Sequence, residues 1–298
     1  MSAAPIVANR YVPAALMALL VLLGWSHWPT LRELIEFWQN EADYSVGALV
    51  PFVTAWMIWS QPASFWREAR FAPWALAALL GAQLLRLAAL YYDYASLERL
   101  ALVASIASVM WLALGNACTR RIVWPIAFLV LMVPLPVSLH NTISVWLQDL
   151  ATGSAVFLLE LAGYWVRREG NVMLLDNEMR VAVIEACSGL RMLTAFVVVA
   201  AAMALIAKRP GWQRLTLLAA ALPIALACNS LRLIATVVAM HAFRNDFAEV
   251  FLHDFAGVAM MPIAVGLLLA LLRLLGWLSD EPRRAPAAAK SPEAVRVA

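Results

Sequence analysis

Long apolar blocks separated by short polar stretches set the pattern of this chain. The blocks run over 12–28, 46–60, 72–91, 100–117, 122–138, 142–163, 187–207, 215–240 and 256–278. A helix needs about 20 residues to cross a bilayer and about 17 at the least, so 46–60 crosses only if it is extended at its edges. The block 142–163 differs in holding Gln148, Asp149 and Glu160 among its apolar residues, which predicts a helix lying on the membrane surface or re-entering it. No repeat and no soluble linker interrupts the series. The Pro- and Ala-rich tail, 279–298, is expected to be disordered.

Basic residues orient the blocks. Placing Arg10 in the cytoplasm puts Arg67, Arg70, Arg120 and Arg121 there too. With 142–163 on the outer face, the segment KRPGWQR (208–214) and the basic tail also fall inside. The expected architecture is all-α: a polytopic transmembrane helical bundle of about eight spans plus one interfacial or re-entrant helix. Residues 1–278 form one membrane domain, and 279–298 form a cytoplasmic tail. A polar segment, 164–185, is left outside, where Arg167, Arg168 and Arg180 are partly balanced by Glu169, Asp176 and Glu178.

Composition sharpens this reading. The chain is 64% hydrophobic and 14% charged, against about half and a quarter for soluble domains, so it is a membrane protein with the lipid bilayer as its surroundings. The net charge of +3 is scattered between apolar blocks, without the basic stripe that nucleic-acid binding requires. The 13 tryptophans suit membrane interfaces. No small-x-small cleavage site follows the first block, which therefore reads as a retained span. Three cysteines, Cys118, Cys187 and Cys228, form no CxxC and no His/Cys cluster, so neither a metal, a cofactor nor a disulfide framework is expected.

The segment VAVIEACSGLRML (181–193) carries the first candidate chemistry. Cys187 falls at the outer end of its block, with Arg191 one helical turn deeper on the same face. Arg232 lies on the next block, about 12 Å below its outer end, a depth from which a long side chain can snorkel upward. His253 stands at the outer edge of the last block. A thiolate beside cations is a nucleophile, an arginine stabilises a developing oxyanion, and a histidine carries protons. Together they suit covalent acyl transfer without a metal.

Each residue also has a plainer reading. Cys187 reads as a small packing residue, as Cys118 and Cys228 do, although Cys228 stands one turn from Arg232. Arg232, with Asn229 on its face, reads structurally as a partner of Glu160 or Glu185. His253 reads as a solvated loop residue, with His241 as a competitor near the same surface.

Seven motifs in order bear on these alternatives: DYSVGALVPF (43–52), MVPLP (132–136), LQDLAT (147–152), REGNVM (168–173), EACSGLR (185–191), CNSLRLIAT (228–236) and HDFAGV (253–258). Over about 40–278 the chain resembles the exosortase family of bacterial membrane transpeptidase-like proteins. The resemblance implies a multi-pass protein of the bacterial inner membrane, its active site facing the periplasm. It also implies a catalytic set of Cys187 as nucleophile, Arg232 as anion stabiliser and His253 as proton carrier. The implied partners are proteins bearing a C-terminal PEP-CTERM signal, which is a Pro-Glu-Pro motif, one transmembrane helix and a basic tail. A link to exopolysaccharide or envelope assembly comes with them. Arg191, Glu185, Asn229 and Arg168 are the candidate substrate-binding residues. Val46 departs from the resemblance, standing where many relatives carry a histidine.

Two readings of other classes compete. One is a polysaccharide or anionic-substrate transporter using Arg191 and Arg232, although the inverted repeats and paired broken helices of many transporters are absent from the sequence. The other is a non-catalytic assembly scaffold. Both tolerate Cys187→Ser, whereas a cysteine protease does not.

Overall fold

A computed structural model describes residues 12–175, 179–182, 189–207, 209–243 and 246–278, and within these the side chains of all but 179, 182 and 241–261. The chain forms α1 (Val12–Ser26), α2 (Trp28–Asn40), a 3-10 turn (Ala42–Ala48), α3 (Leu49–Trp59), α4 (Ala63–Glu68), α5 (Ala75–Tyr91) and α6 (Ala95–Phe128). A second 3-10 turn (Leu129–Met132) leads to α7 (Val137–Leu161). Three strands follow, β1 (Val166–Glu169), β2 (Val172–Leu175) and β3 (Met179–Ala182), then α8 (Leu190–Ile206), α9 (Gly211–Phe243) and α10 (Asp246–Leu278). Among the described residues, three helical runs are long and apolar enough to cross a membrane: Ala95–Met132, Val137–Leu161 and Gly211–Met240. The pair α1 and α2, bent by 78°, makes a fourth if it is one span. The fold is that of an all-α membrane protein with one small sheet.

The run from Ala95 to Met132 doubles back on itself. The Arg99 guanidinium sits 5.0 Å from the Phe37 ring centre, and the neighbouring Trp38 donates its indole N–H to the Met132 carbonyl at 3.1 Å. A straight helix would hold Arg99 and Met132 about 50 Å apart. The reversal falls at Gly115, whose φ of 75° and ψ of 174° lie outside the helical region. A side chain there would collide with the Arg70 carbonyl oxygen, so glycine is needed both for its backbone angle and for its size. The segment after α4 closes the turn: Arg70 N–H donates to the Leu114 carbonyl at 3.2 Å, and Ala72 N–H to that of Leu112 at 3.0 Å. The two arms correspond to the blocks 100–117 and 122–138 that the sequence separates.

The last three helices pack in sequence, α8 on α9 and α9 on α10. Their shared core is rich in alanine: Ala200, Ala204, Ala221, Ala225 and Ala264 are all buried, with Leu217 and Leu268 between them. Small side chains let helix backbones approach closely, which suits association where lipid removes much of the hydrophobic drive. Gln213, buried near the start of α9, donates to the Leu275 carbonyl at 3.1 Å and fixes the antiparallel register with α10.

The polar segment after α7, which the sequence reading left without structure, holds an antiparallel meander in the order β1-β2-β3. Arg168 pairs with Met173, and Leu174 with Arg180. One face, carrying Val166, Met173, Leu175 and Val181, buries itself on Ala155 and Leu159 of α7 and on Leu233 and Val237 of α9. The sequence does carry a signal for the first hairpin: Gly170-Asn171, a two-residue connection with Gly170 at φ 63°, between two short runs with apolar residues.

These contacts also place α7. Near its start, His140 Nδ1 lies 3.0 Å from the Tyr44 hydroxyl, on the 3-10 turn whose Asp43 carbonyl accepts from Thr194 of α8. Near its end, Ala155 and Leu159 pack with Leu233 and Val237 of α9. Both places belong to the end of the α8–α9 pair where α8 begins. α7 therefore packs at that end of the pair.

Candidate functional site

The site is built where α8 begins beside the second half of α9. Arg232 is buried, 7% exposed, and its Nη2 donates to Asn229 Oδ1 at 2.9 Å. Asn229 is one turn earlier on the same helix face and is itself buried. Thr236 donates its hydroxyl to the Arg232 carbonyl at 2.9 Å, so polar groups line three successive turns of α9.

Gly189 brings the chain onto this face. It precedes α8 with φ at 85°, the left-handed region that favours glycine, and an added Cβ would stand 2.8 Å from the Asn229 amide carbon. On the other side, the sheet that ends with β3 rests on Leu233 and Val237. The described residues that flank segment 183–188, the sheet on one side and Gly189 on the other, thus both meet α9 near Arg232. Cys187 and Glu185 belong to that segment and lie outside the described residues.

His253 falls on α10, and its side chain is also outside the described ones. The backbone register still places the position. Leu275 meets Gln213, and Gly276 lies against the Arg209 guanidinium. Leu268 and Ala264 share a core with Leu217, Ala221 and Ala225. Carried along the antiparallel pair at equal rise per residue, this register brings position 253 to within about a turn of Arg232.

The remaining candidates divide. Arg191 is exposed in the first turn of α8. α8 begins at Leu190 after the left-handed Gly189, and the expected shared face of Cys187 and Arg191 lies outside the described residues at Cys187. Arg168 is engaged: its Nη2 donates to Asp149 on α7, and its Nε to the Gly170 carbonyl at 2.9 Å, tying the β1-β2 turn to α7. Cys118 and Cys228 are both buried. Cys118 contacts the Phe65 carbonyl, and Cys228 sits in the alanine-rich core of α8, α9 and α10. Among the described residues, no group of three or more His, Cys, Asp or Glu side chains converges as a metal site.

Beside the start of α8 lies a cavity of about 530 Å³, almost wholly apolar, lined among others by Tyr44, Tyr94, Pro134, Pro136, Leu190 and Leu193. Val46 lines it too and packs into the core, so the position that departs from the family resemblance is an apolar wall of this cavity. Burial pushes the Tyr44 phenol up to about 12, and its hydroxyl stays 3.0 Å from His140 Nδ1. Sequence reasoning missed Gly189, Thr194 and the Tyr44–His140 pair as parts of this region. Only Gly189, directly before a long apolar run, gave a signal of its own.

Long apolar helices, a buried arginine on one of them and a short sheet packed on α7 and α9 define a polytopic membrane protein. A model of the transmembrane exosortase family matches residues 38–270, most of the chain, and the chain belongs to that family. No curated protein and no solved structure shows a significant match.

Proposed function

We propose that this exosortase is a cysteine transpeptidase or protease of the bacterial inner membrane that cleaves the PEP-CTERM signal of exported proteins at the periplasmic face. The observation that carries the reading is that the described residues on either side of 183–188 both meet α9, Gly189 at Asn229 and the sheet at Leu233 and Val237. Gly189 is two residues after Cys187, and two residues of chain reach at most about 7 Å. The nucleophile then works within reach of Arg232 and of position 253.

Cys187, as thiolate, attacks the carbonyl carbon of the peptide bond near the motif. A C–S bond forms, and the oxygen takes up negative charge that Arg232, oriented by Asn229, stabilises. His253 gives a proton to the departing amine as the C–N bond breaks, which leaves a thioester. Water or an acceptor amine then attacks that carbonyl, loses its proton to His253 and releases Cys187 as thiolate. Glu185 holds an arginine of the site. Arg191, exposed beside the site, takes the motif's glutamate. Arg168, held by Asp149, braces the sheet next to it.

The membrane arrangement follows from the same reading. The bundle has about eight spans, α7 lies in the outer interface with the sheet above it, and the tail 279–298 is cytoplasmic. The substrate's apolar segment enters along the 530 Å³ cavity beside α8, which opens onto Leu190 and Leu193.

Trapping the thioester tests the chemistry. Purified full-length enzyme is mixed with a tagged PEP-CTERM protein and denatured without reductant. The expected product is an enzyme–substrate adduct that hydroxylamine releases and that Cys187→Ser abolishes. An adduct that survives Cys187→Ser, or cleavage by that variant at the wild-type rate, would sink the proposal.

A further inference from the structure

The reversal at Gly115 shapes an open pocket of about 720 Å³ at the far end of the α6 hairpin, about 25 Å along the helix from Met132. Arg67 and Arg70 line it, both exposed and neither with a carboxylate partner among the described residues. Glu68, which also lines it, is already neutralised by Arg121 Nη2 at 2.8 Å. The pocket therefore carries a net positive charge that nothing described in the fold offsets. Ser64 and Asn116 add hydrogen-bonding side chains to the same wall. The backbone that carries Arg70 is fixed by its two hydrogen bonds to the broken end of α6, which holds that guanidinium's root in place.

An apolar ramp leads away from these cations. Phe71 and Trp74 line the pocket and are largely exposed, 66% and 65%. From Trp74, α5 continues with Leu76, Leu80, Leu84 and Leu87 exposed at helical spacing along one face. Paired arginines suit a phosphate, and a continuous apolar stripe suits acyl chains. A soluble anion would use only the first feature.

We propose that this pocket binds the headgroup phosphate of an anionic phospholipid, whose chains lie along the exposed face of α5. The site is separate from the Arg232 region and does not depend on the chemistry assigned there. It would fix the depth of the α5–α6 hairpin in the leaflet beneath it.

Native mass spectrometry of the full chain, freed from micelles containing equal dioleoyl-phosphatidylglycerol and dioleoyl-phosphatidylcholine, tests this. The wild type should retain one phosphatidylglycerol in preference to phosphatidylcholine. Arg67→Gln with Arg70→Gln should reduce that retention about tenfold or more, since each basic residue near a lipid surface adds appreciable attraction. Arg32→Gln, at an exposed arginine paired with Glu36, should leave it unchanged. Wild-type retention in the double variant, or no preference between the lipids, would overturn the proposal. Inorganic phosphate separates the two sources of the same chemistry: it should displace the lipid only weakly. Full displacement at comparable concentration would make this a soluble-anion site instead. If the double variant is not recovered monodisperse, the single Arg67→Gln variant reads the same loss at smaller size, and an unchanged lipid count there counts against the site.

Discussion

The residues that decide this account are few, and most are small or charged groups in an apolar setting. Arg232 is costly to bury in lipid unless its donors are used, and the described geometry uses one on Asn229. Arg232→Ala should leave assembly intact and reduce processing about a hundredfold or more, as loss of one oxyanion donor does. Arg232→Lys should recover little, because a lysine keeps the charge but not the planar fork. Gly189→Ala forces a side chain into the Asn229 amide at a left-handed backbone position, a strain of about 1–2 kcal/mol from the backbone alone. It should impair processing while Gly163→Ala, also at positive φ but with open space around it, should not. Equal processing by the Gly189 and Gly163 variants, measured at matched protein levels, would remove Gly189 from the site.

At the scale of elements, the chain's own punctuation explains what was legible. Apolar runs bounded by charges marked α1, α3, α5, α8, α9 and α10, because burial in lipid selects continuous apolar helices. The break between 100–117 and 122–138 was legible as a gap, but Gly115 as its hinge was not, since the requirement comes from the distant Arg70 backbone. The sheet was missed because its strands are four residues long and rely on α7 and α9 for their buried face. At the candidate site, Arg232 and Asn229 were read correctly as sharing a face, because helical periodicity alone determines that. The relation of Arg191 to Cys187 falls outside the described residues, since Cys187 is not among them. The hinge gives a test at this scale. Gly115→Ala should destabilise the α6 hairpin enough to lower the yield of folded protein, whereas Gly81→Ala on α5, with open space around it, should not. Equal yields and equal thermal midpoints in detergent would contradict the tight reversal.

For the whole molecule, the buried Arg232–Asn229 pair lies at one end of the bundle and the exposed Arg67 and Arg70 at the other. α7 packs near the end where α8 begins, and the apolar face of the sheet packs on it. In cells, a cysteine placed at exposed Arg167, in a background with Cys118, Cys187 and Cys228 replaced by alanine, should react with a membrane-impermeant maleimide from the periplasm. One placed at exposed Ser64 should react only after the membrane is opened. The reverse pattern would invert the molecule and move the proposed site to the cytoplasm.

The most direct measurement is the fate of a tagged PEP-CTERM protein in cells carrying the wild-type enzyme, Cys187→Ser or Cys228→Ser at equal levels, followed by blot for loss of its C-terminal tail. The account predicts that Cys187→Ser abolishes processing while Cys228→Ser, altering a cysteine buried among alanines, leaves it near wild type. Processing that continues without Cys187 would contradict the cysteine mechanism outright.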